Sequence, residues 1–141
     1  MNHPLTLGDS VLDEDHLRLE DLVLQLRDAP LDEVSRRLEA VREHASRHFA
    51  LEDIELRAMA DGNAKCHLDE HAAVLNSLDE VMVVLTQVDV AAEKKALLIN
   101  RLATELLVWL PGHVHEMDAG VASHRSKQRF GGAPVKIGRR P

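Results

Sequence analysis

The chain of 141 residues has the length of one domain, and its composition favours α-helices, since 45% of the residues are hydrophobic but only 2% are aromatic. The net charge of −7 lies in an acidic body that ends at Asp118 and a basic end, which argues against nucleic acid as the main partner. No stretch reaches the roughly 18–20 apolar residues of a membrane helix, and with one cysteine and no signal-peptide pattern we predict a cytoplasmic protein without a membrane partner.

The first two stretches of helical periodicity precede residue 64. Apolar residues recur at three- and four-residue steps over 12–26, after Ser10 and Asp13, both of which are good N-cap residues. A long second helix is predicted over 31–59, because the pattern continues until the turn-forming residues 61–63 interrupt it. These two helices must be antiparallel, since the connection between them is short.

A third helix is predicted over 64–85, and a fourth follows and continues past Pro111 and Gly112 to about Ala122. Short connections predict an all-α fold, an up-down-up-down antiparallel four-helix bundle with a kinked fourth helix, over residues 1–122. From 123 to 141 the apolar pattern stops, and we predict a flexible basic tail. This tail is either a solvated end without a role or an electrostatic arm for an acidic partner.

Five histidines and two carboxylates stand at spacings that bring them to one level of such a bundle. Residues four apart share a helix face, so the pairs in the second and third helices each converge on one inward point. Burying so many polar groups without a metal would be costly, and we therefore predict a metal centre. The seven residues are His16, His48, Glu52, His67, His71, His113 and Asp118.

The spacing of His113 and Asp118 does not fit a regular helix. Five residues at about 100° each would turn Asp118 roughly 140° away from His113. Pro111 frees a backbone carbonyl and Gly112 tolerates unusual dihedral angles, so we predict a kink or π-type bulge just ahead of His113.

The order H, H-F-x-x-E, H-x-x-x-H, H-x-x-x-x-D resembles the hemerythrin family over residues 8–118. The resemblance implies two iron ions joined by an oxo or hydroxo bridge, with reversible binding of dioxygen at one open position. Nitrogen and oxygen ligands alone do not distinguish iron from other metals, so iron rests on this resemblance. It implies His67, His71 and His113 on one iron, His16 and His48 on the other, and Glu52 and Asp118 bridging both.

Further residues are expected around the centre. Phe49 and Trp109 are predicted to wall the dioxygen pocket, or else are ordinary core residues. His44 stands where the family usually has a tyrosine, and we expect it behind a ligand residue or at the surface rather than on the metal. Cys66 points off the ligand direction and is predicted to be a packed thiol, while Asp13 caps the first helix or hydrogen-bonds a ligand histidine.

Three functions are compatible with this pattern. Reversible dioxygen binding for storage, delivery or sensing is the leading one, and the chain is then not an enzyme. The alternatives are a di-iron peroxidase or a nitric oxide- or peroxide-detoxifying enzyme, with His44 as a proton donor, and an iron sensor whose bundle loosens when metal is lost. Dioxygen or a similar small molecule is the expected ligand, and no protein partner is indicated.

Overall fold

The computed structural model describes residues 5–129, and within them the chain is all-α without a strand. The first four helices form the predicted antiparallel up-down-up-down bundle, which is thereby confirmed. None of the described helices is long and apolar enough to cross a membrane, and the cytoplasmic location stays a prediction. The helices are α1 (Ser10–Asp28), α2 (Val34–Met59), α3 (Gly62–Thr86), α4 (Ala92–His113) and α5 (Ala119–Arg129), with a 3₁₀ turn (Leu31–Glu33) before α2 and a π-helical turn (Val114–Asp118) between α4 and α5.

The N-cap of α1 lies one residue before Ser10, the nearer of its two predicted caps. Asp9 is the N-cap, and its side chain accepts hydrogen bonds from the backbone N–H groups two and three residues further on. Asp13 neither caps the helix nor contacts a ligand histidine, because its carboxylate accepts from the backbone N–H groups of Leu7 and Gly8. Asp13 therefore fixes the segment that enters α1.

The connection between α2 and α3 is two residues long. Ala60 ends α2 in the left-handed conformation, with φ of 52°, and Asp61 caps α3 by accepting from the N–H of Ala64 at 2.7 Å. Because the turn is so tight, Glu52 near the end of α2 and His67 near the start of α3 come to one level of the bundle.

The apolar core consists of two clusters, with the polar layer between them. The larger cluster fills the bundle on one side of this layer and includes Phe49 and Val114. The smaller cluster closes the end near the α2–α3 turn and consists of Leu12, Leu56, Ala64 and Val121. On every helix the seven predicted ligand residues fall between residues of the two clusters, so apolar packing encloses them from both ends.

Helix α5 extends to Arg129, well past the predicted end at Ala122. Arg125 Nε donates to Asp9 Oδ2 at 2.7 Å, and the His124 Nδ1 atom lies 2.9 Å from Glu55 Oε1. The predicted helix end at Ala122 is therefore too early, and polar contacts of His124 and Arg125 with distant residues, rather than an apolar stripe, accompany the additional turns. Residues 130–141 lie outside the described residues, and a flexible tail there stays a prediction.

Candidate metal centre

All seven predicted ligand side chains meet in one layer of the bundle, and each is at most 3% exposed. One nitrogen or oxygen atom from each residue belongs to one of two groups, or to both for the carboxylate residues, and within each group these atoms lie within 4.8 Å of one another. Two carboxylates belong to both groups, so the two candidate cation sites adjoin each other. One group comprises Glu52, His67, His71, His113 and Asp118, and the other comprises His16, His48, Glu52 and Asp118.

Each shared carboxylate turns its two oxygens towards different histidines. Asp118 Oδ1 lies 2.7 Å from His67 Nε2, whereas Asp118 Oδ2 lies 2.9 Å from His16 Nε2, an ion-pair distance without hydrogen-bond geometry. Glu52 Oε1 lies 3.1 Å from His71 Nε2, whereas Glu52 Oε2 lies 3.3 Å from His48 Nε2. This is the arrangement that two bridging carboxylates require.

The π-helical turn brings Asp118 to the same side as His113. His113 Nε2 and Asp118 Oδ1 are 3.1 Å apart although the two residues are five apart in sequence. The predicted distortion is present, but it begins with Val114, just after His113 instead of ahead of it. A turn wider than the α-helix accommodates the extra residue, and the carboxylate faces inward.

Three further carboxylates lie at hydrogen-bond distance from the outer nitrogen atoms of three of the predicted ligand histidines. In each case a carboxylate on one helix accepts a hydrogen bond from the Nδ1–H of a histidine on the next helix. Nδ1 is thus protonated, and the lone pair is left on Nε2, which points into the centre. The pairs are Asp15 with His48 at 2.9 Å, Asp53 with His71 at 2.9 Å, and Glu70 with His113 at 2.7 Å.

These tautomers make the interior fit cations. The Nε2 atoms of His71 and His113 are 3.2 Å apart, and if both rings are neutral with Nδ1 protonated, two lone pairs face each other, a contact that a proton or a cation between them would relieve. Several other buried atoms have no hydrogen-bond partner: His48 Nε2, both oxygens of Glu52 and Asp118 Oδ1. Imidazoles with two carboxylates are a suitable ligand set for first-row transition metals, so the residues fit the metal that their pattern predicts.

The carboxylates and histidines also set one another's protonation. Burial alone would lower the pKa of His16, but the nearby carboxylates of Asp118 and Glu52 outweigh it and raise the pKa to about 9. Burial would raise the pKa of Glu52, yet its contacts with the surrounding histidines hold that pKa well below its usual value. The pKa of Asp118 is lowered for the same reason. Glu52 and Asp118 are therefore both ionised, and their negative charges can be balanced either by protonated histidines such as His16 or by metal cations.

Two aromatic side chains lie against the ligand histidines. The Phe49 ring stacks on the His71 ring, with centroids 4.0 Å apart and an angle of 8° between the planes. The Trp109 ring stacks on the His113 ring at 4.3 Å, and its Nε1–H donates to Glu70 at 2.7 Å. Both residues therefore border the polar layer on the side of the larger core cluster. Trp109 also orients the Glu70 carboxylate, which is hydrogen-bonded to His113.

His44 and Cys66 have different surroundings. His44 is buried, its Nε2 lies 2.9 Å from the carbonyl oxygen of Asp15, and its ring is parallel to that of His48 at 6.5 Å. His44 thus lies behind a ligand residue and belongs to neither group of ligand atoms. The prediction for Cys66 was wrong, because its thiol is exposed rather than packed.

The bundle with its buried layer of imidazoles and carboxylates defines a metal-binding four-helix protein. A family model described as the hemerythrin HHE cation binding domain matches residues 7–123, and the chain belongs to the hemerythrin family. A bacteriohemerythrin from Ralstonia nicotianae is 33% identical over 114 residues, which are 81% of this chain and 79% of that protein. No solved structure matches the chain significantly.

Proposed function

We propose that the chain holds two iron ions and binds dioxygen reversibly beside His16 and His48. The observation that carries this proposal is the inequality of the two ligand groups, which offer five and four protein side chains. Five groups leave one position of a six-coordinate ion, and four leave two. If both ions share one bridging ligand from solvent, a single position stays open, next to the two histidines of the smaller group.

The chain's contribution is to hold the ions, exclude water and leave that position accessible to a small molecule. When bound, the iron pair supplies the electrons that reversible dioxygen binding needs. A small apolar cavity of about 10 Å³ lies in the larger core cluster, and two of its lining residues, Leu19 and Ala45, stand three residues from His16 and His48 on the same helices, although neither histidine lines it. Dry, apolar surroundings favour an uncharged ligand over water.

The surroundings favour binding over oxidative catalysis. His44 was the candidate proton donor of the enzymatic alternative, but its Nε2 lies at hydrogen-bond distance from the Asp15 carbonyl rather than facing the centre. Five imidazoles and only two carboxylates surround the two ions, whereas the oxidising di-iron bundles use Glu and E-x-x-H motifs, and this sequence contains no E-x-x-H.

Metal analysis and anaerobic spectroscopy test the proposal. Two iron ions per chain are expected, with a visible absorption band that appears when the reduced protein meets dioxygen and disappears when dioxygen is removed. His48→Ala should lose one ion and the reversible band. The matched control is His115→Ala, since His115 is an exposed histidine two residues from His113. Irreversible oxidation on the first exposure would contradict reversible binding and favour the peroxidase alternative.

A further inference from the structure

A surface pocket of about 300 Å³ lies where α2 meets α3 and α5 begins, and it reaches into the metal centre. His67 is one of its lining residues, although this side chain is only 2% exposed. The pocket therefore brings solvent to the edge of a layer that is otherwise enclosed by two apolar clusters.

The side chains of this pocket change character with depth. Exposed residues at the rim carry oxygen and sulfur atoms that bind cations, namely Asp61, Glu116 and Cys66. The half-buried side chains of Met59 and Met117 line the intermediate level, and the buried side chains of Leu56, Ala64 and His67 form the floor, where His67 is the residue that can bind a metal. Carboxylates at the rim attract a hydrated divalent cation, and the imidazole at the buried end can replace one of its water molecules.

The floor of the pocket leads directly to both bridging carboxylates. His67 Nε2 lies 2.7 Å from Asp118 Oδ1 and 3.9 Å from Glu52 Oε1. An ion that reaches His67 is therefore already beside its other ligands. Three of the remaining histidines are covered from outside, because the carboxylates of Asp15, Asp53 and Glu70 occupy their Nδ1 sides.

We propose that this pocket is the route by which divalent metal ions enter and leave the centre. The inference rests on the proposed function, because a route for metal ions requires that metal binds at the centre to which His67 belongs. It predicts that narrowing the pocket slows metal exchange in both directions without changing the final metal content, because a route affects rates and not the equilibrium.

Cys66 allows the pocket to be blocked selectively, since it is the single cysteine of the chain and is exposed. A bulky maleimide on Cys66 should slow anaerobic loading of the metal-free protein with Fe²⁺ at least tenfold, and slow removal of iron by a chelator equally. The control is Cys66→Ser/Ser77→Cys carrying the same label, because Ser77 is exposed on the same helix but outside the pocket. Labelled Cys66 protein that loads at the unlabelled rate would overturn the route.

Gly120 provides a second test that leaves every rim and floor side chain in place. It lines the pocket, and a Cβ added there meets only Met59 Cε, at 3.9 Å. Gly120→Leu should fill the pocket, favour the helix and slow loading, whereas Gly112→Leu, at a helical glycine outside the pocket with open space around it, should not. Equal rates in these two variants would refute the proposed route. Fewer than two ions at the end point in unlabelled wild-type protein would contradict the dinuclear centre instead.

Discussion

Three acidic residues connect the ligand histidines around the bundle. Each stands next to a ligand residue of its own helix and accepts from a histidine of the next helix, so the metal layer also joins neighbouring helices. A metal ion that binds one of these histidines therefore also affects the position of the carboxylate on the preceding helix, because the two side chains are hydrogen-bonded. The connections run from Asp15 on α1 to His48, from Asp53 on α2 to His71, and from Glu70 on α3 to His113.

Asp53→Ala should weaken metal binding without unfolding the bundle. The carboxylate is 23% exposed, so its loss leaves no apolar cavity, but the Nδ1–H of His71 loses its acceptor and the ring loses its fixed orientation. Loss of such a partner typically costs about 10–100-fold in metal affinity. Chelator competition measures this, with the exposed Asp69→Ala as control. An unchanged affinity in Asp53→Ala would mean that packing alone orients His71.

Metal affinity should rise with pH in a window set by His16. In the metal-free protein its pKa is raised from 6.5 to about 9, so its charged form stabilises the fold fully below about pH 6.5, and this contribution is lost as the pH rises through about 9. A metal ion needs the neutral imidazole and must displace the proton below that pH. We expect the affinity for Zn²⁺ in chelator competition to rise roughly tenfold per pH unit between pH 6.5 and 8.5. A flat profile would refute a protonated His16.

At the level of elements, the π-helical turn inserts one additional residue between α4 and α5, which are otherwise regular α-helices. Without that residue His113 and the acid would be four apart, which on an α-helix leaves them about 40° apart on one face. Deleting the exposed His115 should therefore give a regular helix that still presents both ligands, and raise the melting temperature while keeping both ions. Metal analysis and thermal unfolding test this. Loss of an ion would show that the wide turn itself positions Asp118.

An ion pair between Arg125 and Asp9 links α5 to the start of α1. Arg125 is 18% exposed and Asp9 is 4% exposed, so Arg125→Ala removes a positive charge from beside a nearly buried carboxylate. Arg125→Ala should lower the free energy of unfolding by about 1–3 kcal/mol. Lys127→Ala, which removes an exposed charge on the same helix, should change it by less than about 0.5 kcal/mol. Equal effects of the two substitutions in urea unfolding would contradict a structural role for the ion pair.

The sequence predicts the elements with local periodicity and misses the contacts that depend on how helices are rotated. Residues four apart define an inward face, so the positions of His48 with Glu52 and of His67 with His71 follow from spacing alone. The pairing of Asp53 with His71 requires the relative rotation of α2 and α3, which no local pattern contains. An acidic residue directly beside one ligand residue in each of the first three helices was the available indication. The end of α5 was missed because Arg125 stabilises it through a distant residue.

At the scale of the whole molecule, the metal layer occupies a position that apolar side chains would otherwise fill. It separates the two core clusters, and it contains buried atoms without partners, among them both nitrogens of His16 and both oxygens of Glu52. Such atoms lower the stability of the metal-free chain, because each was desolvated without gaining a hydrogen bond. Cations that bind these atoms act as the missing part of the core.

Metal removal should therefore destabilise the entire bundle. Binding at about 1,000 times the dissociation constant adds about 4 kcal/mol, which in a domain of this size corresponds to roughly 15 °C in melting temperature. Trp109 reports this transition directly, since it is the single tryptophan of a chain without tyrosine and stacks on His113. Glu52→Gln, which loses a bridging charge, should show a much smaller difference between metal-loaded and metal-free samples. If wild-type protein melts at one temperature with and without metal, the layer does not support the fold, and apolar packing alone holds the four helices together.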